Sequence, residues 1–240
     1  MSVGGILVVD DDETVGDVVL RYLAREGLAG RQLTLGADLL ALITADPPDL
    51  LVLDVMLPDA DGIELCRSVR ISFPELPLIL LTARTAEEDR IAGLSAGADD
   101  YVMKPFSPRE LVLRIKSVLR RAGAEPATSA PDSLPIWRDD HLVLDTAARS
   151  VTVDGGEVAL TAREFSLLCH FVRHGGEVLS RRQLLTDVWQ WDFGDESTVT
   201  VHVRRLREKV EADPARPQRL VTVWGAGYRW DPVGKQSWTA

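Results

Sequence analysis

The sequence predicts two domains, an α/β domain built on a doubly wound, five-stranded parallel sheet and a smaller α+β domain. Up to about residue 121, short apolar runs alternate with amphipathic stretches, as in parallel sheets covered by helices on both faces. Beyond a proline-containing stretch, the pattern changes to short alternating strands and three helices. A chain of 240 residues, 45% of them hydrophobic, is long enough to bury two cores.

The first domain is predicted from short apolar runs, which are typical of strands buried on both faces. These strands are Ile6–Val9, Leu50–Leu53, Leu78–Leu81 and Tyr101–Met103. A fifth, weakly marked strand is expected within Gly30–Leu35. The amphipathic stretches predict helices at Val15–Glu26, Ala37–Ala45, Ile63–Arg70, Glu87–Ala96 and Pro108–Arg121. Alternation of this kind places ligand sites beyond the carboxyl ends of the strands.

The second domain is predicted from turn and capping signals. Two helices begin with capping boxes, Thr161/Glu164 and Ser180/Gln183. A third helical stretch, "STVTVHVRRLREKVEA", follows, and a hairpin turning at Gly225–Gly227 ends the domain. The expected organisation is a first domain over 1–121, a linker over 122–135, a second domain over 136–232 and a tail over 233–240.

Composition narrows the class of protein. The net charge of −10 does not by itself indicate nucleic-acid binding, so that function must be argued from local patterns. The two cysteines, Cys66 and Cys169, lie one in each domain and predict buried free thiols in a reducing compartment, so we expect a cytoplasmic protein. Charges interrupt every apolar run, and the first residues resemble a strand and not a signal peptide.

Polar side chains follow four predicted strands of the first domain. Asp10 and Asp11 end the first run, Asp54 ends "LLVLD", Thr82 ends "LILLT" and Lys104 ends "YVMK". Clustered carboxylates repel each other unless a cation intervenes, and Mg²⁺ prefers such oxygen ligands. The pattern therefore predicts a Mg²⁺-dependent phosphoryl-transfer site. Asp54 would be the nucleophile, and Lys104 and Thr82 would contact the phosphoryl oxygens. Pro105, directly after Lys104, could adopt a cis bond that aims the lysine inward.

The first domain resembles the receiver domain of two-component response regulators, which has a flavodoxin/CheY-like fold. The resemblance is carried by "ILVVDDDE", "PDLLVLDVMLPDADGIELC", "LLTAR" and "GADDYVMKPFSPRELVLRIKSVLRR". It implies that Asp54 accepts a phosphoryl group from a sensor histidine kinase. It also implies that Asp11, Asp54 and the backbone carbonyl of Met56 bind Mg²⁺ directly, with Asp10 acting through water. Thr82 and Tyr101 would be the switch pair.

The resemblance further implies that phosphorylation makes the face of the fourth helix, fifth strand and fifth helix dimerise. Across a two-fold interface, Arg90 would pair with Glu110, and Asp100 with Arg114. Further candidates at this interface are Asp99 and Arg121. The alternative interpretation is that these are ordinary solvated charges on helices.

The third helix of the second domain has an apolar face and a basic face, and its valines and leucine at 199, 203, 206 and 210 are expected to be buried. The segments "LTAREFSLLCHFV", "SRRQLLTDVW", "TVTVHVRRLREKVE" and "VTVWGAGYRW" resemble the winged helix-turn-helix domain of the OmpR/PhoB subfamily. The resemblance implies that this helix enters the major groove, with Thr200, Val201 and Arg205 facing bases. The residues implied near phosphates are His202, Arg204, Arg207 and Thr222. Many relatives carry an arginine where this chain has Trp224, and the loop "QWDFGDE" matches one that contacts RNA polymerase in relatives.

These observations predict a transcriptional regulator controlled by phosphorylation, which dimerises and binds tandem sites in promoter DNA. It would catalyse only its own phosphorylation and slow dephosphorylation. One alternative is a DNA-binding regulator that works without phosphate. Another is an aspartyl-phosphate hydrolase, which would need a second acid close to Asp54, where Val55 and Met56 stand. The sequence contains no GxxxxGK loop, so it does not support nucleotide hydrolysis.

Overall fold

The computed structural model describes residues 5–83, 87–122, 136–139, 141–191 and 195–239. The chain divides into two compact units, Met1–Ala122 and Gly123–Ala240. Residues 123–135, which include almost all of the predicted linker, lie outside the described residues. Within the described ranges, no helix combines the length and the apolar character needed to span a bilayer.

The first unit is built on a parallel sheet of five strands. In chain order these are β1 (Ile6–Val9), β2 (Gly30–Leu33), β3 (Leu50–Asp54), β4 (Leu78–Thr82) and β5 (Asp100–Met103). Their spatial order is β2-β1-β3-β4-β5, and every neighbouring pair is parallel. The weakly marked second strand therefore lies inside the predicted range, at the edge of the sheet.

Five helices cover both faces of this sheet. They are α1 (Glu13–Arg25), α2 (Leu39–Ala45), α3 (Gly62–Ser72), α4 (Glu87–Ser95) and α5 (Pro108–Ala122). Side chains alternate along each strand, so Leu7 and Val9 join a core with α2 and α3. Their neighbours Ile6 and Val8 join a second core with α1 and α5. This two-sided burial is the reason that the strands are almost continuously apolar.

The second unit combines antiparallel sheets with helices. One sheet has the order β13-β6-β7-β8-β9 and the other the order β10-β12-β11. The strands are β6 (Ile136–Arg138), β7 (Leu142–Asp145), β8 (Ser150–Val153), β9 (Gly156–Glu157), β10 (Val178–Leu179), β11 (Leu220–Val223), β12 (Gly227–Trp230) and β13 (Ser237–Thr239). The helices are α6 (Ala162–Arg173), α7 (Arg181–Leu184) and α8 (Ser197–Val210). Both predicted capping boxes are present, at the first residues of α6 and α7.

Two features of the second unit differ from the sequence prediction. The helix predicted for "SRRQLLTDVW" is α-helical only to Leu184 and continues as a π-helix over Leu185–Trp189. The expected tail contains β13, which pairs antiparallel with β6 and places Trp238 opposite Trp137. Trp238 packs against the core of the unit, and this burial explains why the end of the chain is ordered as a strand.

Gly62 fixes the first residue of α3 against the end of β3. A Cβ atom at this position would lie 2.1 Å from the carbonyl oxygen of Asp54 and 2.6 Å from the Cα of Val55. Both contacts are with backbone, so relief requires α3 or the end of β3 to move.

We therefore expect Gly62→Ala to lower the free energy of unfolding by about 3 kcal/mol or more, because the added methyl group overpacks this junction. The measurement is urea unfolding followed by far-ultraviolet circular dichroism. The control is Ser72→Ala at the other end of α3, where the side chain is exposed and the change should stay within about 0.5 kcal/mol. Equal stability of the two variants would contradict this account of Gly62.

Candidate phosphoryl-transfer site and nucleic-acid surface

The predicted acidic cluster forms at the carboxyl edge of the parallel sheet. Asp54 is the last residue of β3, and Asp10 follows β1 directly. Asp10, Asp11 and Asp54 can each place a carboxylate oxygen within 4.8 Å of the others. Asp10 and Asp54 are buried, whereas Asp11 is exposed. This arrangement of oxygen donors, open on one side, fits a hard divalent cation.

Lys104 lies between the two buried acids. Its Nζ is 2.5 Å from Asp54 Oδ2 and 2.7 Å from Asp10 Oδ2. Burial acts to lower the pKa of Lys104, but the hydrogen bonds and charges of the two acids outweigh burial and raise this pKa. Burial also raises the pKa of Asp10 above its ordinary value, although Lys104 opposes the rise. One ammonium group therefore leaves the two buried carboxyl groups incompletely compensated.

A backbone contact orients the carboxylate of Asp54. The N–H of Met56 donates to Asp54 Oδ1 at 3.0 Å. Met56 also forms an antiparallel bridge with Asp61, whose side chain caps α3. These contacts fold the chain after β3 back toward Asp54. Met56 is the residue whose carbonyl the resemblance implies as a metal ligand.

Asp10 has a supporting contact that the sequence did not reveal. The side-chain Nε2 of Gln32, next to the end of β2, donates to the Asp10 carbonyl at 2.9 Å. A Cβ at Gly16 of α1 would lie 2.0 Å from Gln32 Oε1, so α1 confines this side chain. The Asp10 carboxylate in turn accepts a hydrogen bond from the N–H of Asp12 at 3.1 Å, and Asp12 caps α1.

The structure also places the predicted switch residues. Thr82 ends β4 and is 5% exposed, and its carbonyl accepts a hydrogen bond from the N–H of Lys104 at 2.7 Å. Tyr101 is partly buried on β5 and packs against the core on the α2 and α3 side. The Lys104–Pro105 bond is cis, as the sequence suggested.

Asp99, one of the residues predicted at the dimer interface, has internal contacts in this structure. Asp99 is 1% exposed, and its Oδ2 lies 2.5 Å from Arg70 of α3 and accepts from the N–H of Leu78. Asp99 therefore has an internal structural role. The side chains of Arg90 and Arg121 lie outside the described residues.

The predicted cross-dimer pair of Asp100 and Arg114 forms within one chain. Arg114 is 8% exposed and lies 3.1 Å from Asp100, which is fully buried. The same guanidinium contacts Glu110 at 2.9 Å. An intermolecular pairing of Asp100 or Glu110 with an arginine of another copy would have to replace or share these internal contacts.

Helix α8 buries its apolar residues as predicted, at Val199, Val203, Leu206 and Val210. Thr200 is exposed, and the side chain of Arg204 is 71% exposed beside Glu208. His202, predicted to face phosphates or lie close to them, is fully buried with its ring 5.1 Å from that of Trp189, so its side chain is not exposed in this structure. Val201, predicted to be exposed, is only 5% exposed.

Arg205, predicted to face bases, has an internal partner in this structure. Arg205 is 7% exposed, and its guanidinium lies 2.7 Å from Glu164 of α6, which is completely buried. Burial acts to raise the pKa of Glu164, but the charges of Arg205 and Lys209 lower it overall. Glu164 is therefore an ionised group inside the protein, and Arg205 is needed to balance it.

Arg207 and Thr222 are the two remaining residues predicted near phosphates. Their contacts connect α8 to the terminal hairpin. Arg207 donates through Nε to the carbonyl of Leu220 and through Nη2 to Thr222 Oγ1, both at 2.8 Å. Sequence reasoning missed Arg181, which donates to Thr200 Oγ1 at 3.2 Å and so lies beside the exposed face of α8. Arg181 is the first residue of α7 and contacts the first turns of α8. The spacing of residues in the sequence does not predict this contact between two helices.

Comparison with known proteins gives two family matches. Residues 6–116 match the response regulator receiver domain, and residues 155–230 match the C-terminal domain of transcriptional regulatory proteins. The response regulator DrrB of Thermotoga maritima, an OmpR/PhoB homologue, is 32% identical over 95% of this chain and 99% of its own, with a TM-score of 0.51. A mutant of RitR, 23% identical over 96% of this chain and 100% of its own, shares the fold with a TM-score of 0.75.

We expect Arg205→Met to lower the free energy of unfolding of the second unit by about 3 kcal/mol, because it leaves the buried Glu164 carboxylate undercompensated. The control Arg204→Met removes an exposed guanidinium and should change stability by less than about 0.5 kcal/mol. Urea unfolding followed by tryptophan fluorescence measures both, since all six tryptophans belong to this part of the chain. Similar small effects of both substitutions would show that Arg205 has no structural role.

Proposed function

The chain belongs to the OmpR/PhoB family of response regulators, which are transcriptional regulators controlled by phosphorylation, and on this premise we propose that Asp54 is its phosphoacceptor. The observation that carries the proposal is the contact of Lys104 with both Asp54 and Asp10 at the carboxyl edge of the sheet. A lysine held against the nucleophile is placed to contact a phosphoryl oxygen once the group is attached.

In the proposed reaction, a carboxylate oxygen of Asp54 forms a bond to phosphorus while the bond from phosphorus to the donor breaks. The donor would be the phosphohistidine of a sensor kinase, and the product on this chain is an acyl phosphate. The N–H of Met56 and Nζ of Lys104 hold the two carboxylate oxygens of Asp54 in a defined orientation before transfer. The hydroxyl of Thr82 is proposed to donate a hydrogen bond to the transferred group.

We propose that Mg²⁺ is the cation of this site, held by Asp11, Asp54 and the carbonyl of Met56, with Asp10 acting through water. The close approach of three carboxyl groups, two of them buried, supports this proposal. A bound Mg²⁺ would supply positive charge to the phosphoryl oxygens during transfer.

Phosphorylation is proposed to act on the face formed by α4, β5 and α5. A covalent phosphate on Asp54 favours one arrangement of Thr82 and Tyr101 over another only through its different contacts in the two states. The resulting population shift would favour homodimerisation through this face. Of the predicted interface residues with described side chains, Glu110 of α5 is exposed, and we propose that it contributes at the edge of this face.

The second unit is proposed to bind double-stranded promoter DNA with α8 in the major groove. The exposed Thr200 and Arg204 support base and backbone contacts, and Arg181 extends the basic surface beside them. Arg207 and Thr222 are proposed to orient the hairpin near the phosphates. Two protomers would bind tandem sites, and the acidic loop 190–196, partly outside the described residues, is proposed to contact RNA polymerase.

We expect no catalytic activity beyond self-catalysed phosphorylation and slow autodephosphorylation, and we place the protein in the cytoplasm. Support for a reducing compartment comes from Cys66 and Cys169, which are buried, one in each unit. Burial raises the pKa of the Cys169 thiol to about 11, so this thiol is un-ionised at neutral pH.

The alternative function is a DNA-binding regulator that works without phosphate. It differs from the proposed function in its response to a phosphodonor.

Incubation with acetyl phosphate and Mg²⁺ should shift wild-type protein on a phosphate-affinity gel and should leave Asp54→Ala unshifted, because the nucleophile is missing. Asp38→Ala is the matched control, since Asp38 is exposed and makes no side-chain capping bond. The control should shift like the wild type. A shifted band in Asp54→Ala, or none in the wild type, would contradict the assignment.

Magnesium should stabilise the first unit by preferential binding to the folded state. At ten times its dissociation constant, Mg²⁺ should raise the free energy of unfolding by about 1.4 kcal/mol in the wild type. In Asp11→Asn the gain should be much smaller, whereas Asp38→Asn should behave like the wild type. The measurement is urea unfolding by circular dichroism with Mg²⁺ or EDTA. An equal gain in all three proteins would place the cation elsewhere.

A further inference from the structure

Gln32 of β2 holds the backbone of residues 10–12, the acidic loop that follows the neighbouring strand β1. Its side-chain Nε2 donates to the carbonyl of Asp10 at 2.9 Å and to the carbonyl of Asp12 at 3.3 Å. The amide group has two hydrogens to donate, so these two contacts use both of them. The two carbonyls flank Asp11 in the chain, and Gln32 therefore fixes the segment that carries Asp11 at both of its ends.

The carboxylate of Asp11 depends on this backbone for its position. The side chain is exposed, and among the residues that the structure describes it has no hydrogen bond or ion pair. Asp10 differs, because its Oδ2 lies 2.7 Å from Lys104 and its Oδ1 accepts from the N–H of Asp12. A metal ligand without a supporting partner of its own is held in place only if the chain that carries it is held.

A glycine in α1 makes room for the Gln32 amide. A Cβ atom at Gly16 would lie 2.0 Å from Gln32 Oε1 and 2.3 Å from Gln32 Nε2. The amide thus packs directly against the backbone of α1, and any other residue at this position would displace it. Gly16 lies in the interior of α1, where glycine makes a helix less stable than alanine does. A residue that weakens the helix but admits the amide indicates that the contact has a function.

We propose that Gln32 and Gly16 form a positioning pair that raises the affinity of the acidic cluster for a divalent cation. The inference rests on the proposed Mg²⁺ site. Gln32 donates only to the two backbone carbonyls, so it acts through the placement of Asp11 and adds no charge to the site. A loop that is ordered before the cation arrives loses less conformational freedom on binding, and this preorganisation increases affinity.

The first test is a titration of the full chain with Mn²⁺, in which electron paramagnetic resonance measures the free ion. Gln32→Met keeps the length of the side chain but removes the donor, and it should bind Mn²⁺ about tenfold more weakly than the wild type. Gly16→Ala should weaken binding by a similar factor, because its methyl group displaces the amide. Thr44→Ala, a neutral change at an exposed position of α2, is the control and should bind like the wild type. Wild-type affinity in Gln32→Met or in Gly16→Ala would overturn the proposal.

The double variant that combines Gly16→Ala with Gln32→Ala distinguishes one shared contact from two independent effects. Gln32→Ala alone should bind Mn²⁺ about tenfold more weakly, like Gln32→Met. If both substitutions remove the same hydrogen bonds, the double variant should bind no more weakly than either single variant. Losses that multiply to about a hundredfold would show that the two residues act independently and would refute the pair.

Stability without metal distinguishes a positioning role from a purely structural one. In EDTA, Gly16→Ala should unfold at a urea concentration no lower than that of the wild type. Alanine favours the helix, and the atoms that its methyl group displaces are the flexible end of a side chain. A lower midpoint together with wild-type Mn²⁺ affinity would show that the pair serves the fold alone.

The outcomes also distinguish this inference from the proposed function. If the wild-type chain binds no divalent cation, the proposed Mg²⁺ site fails and the positioning role fails with it. If the wild type binds Mn²⁺ and Asp11→Asn weakens binding while Gln32→Met and Gly16→Ala do not, only the role of the pair is refuted.

Discussion

The imbalance of charge at the carboxyl edge of the parallel sheet is the constraint on which the first unit depends. Asp10 and Asp54 are buried there with one lysine between them. Two carboxylates and one ammonium leave a net negative site, and a negative site in a poorly solvated place favours cations. A phosphoryl group attached to Asp54, as proposed, would add further negative charge at the same point and would compete with Asp10 for contact with Lys104.

Much of the surrounding fold keeps Asp10, Asp54 and Lys104 close together. The parallel strands bring residues from positions 10, 54 and 104 to one edge, while Gly62 allows α3 to begin directly beneath Asp54. The second unit also contains a buried acid, and there it has a structural role. There, the buried Glu164 is balanced by Arg205 and Lys209, and this pairing ties α6 to α8. In the first unit one lysine faces two buried acids, and in the second unit two cations face one buried acid.

The sequence predicted the first domain well because its signals are local. Apolar runs ending in Asp54, Thr82 and Lys104 located the strands and their polar ends together. It predicted the exposed side chains of α8 less well, because long side chains can turn toward partners far along the chain. Arg205 meets Glu164, 41 positions away in the sequence, and spacing does not show this. His202 could have been recognised, since it lies three residues after Val199 and four before Leu206 on the buried side of the helix.

The claim that the acidic cluster binds a divalent cation is tested most directly by a crystal structure of the receiver with Mn²⁺ in place of Mg²⁺. An anomalous difference map locates the Mn²⁺ ion. The account predicts one strong peak within about 2.5 Å of carboxylate oxygens of Asp11 and Asp54 and of the Met56 carbonyl, with Lys104 still beside Asp54. A peak away from these oxygens, or none at saturating Mn²⁺, would contradict the claim that this edge of the sheet is organised around a cation.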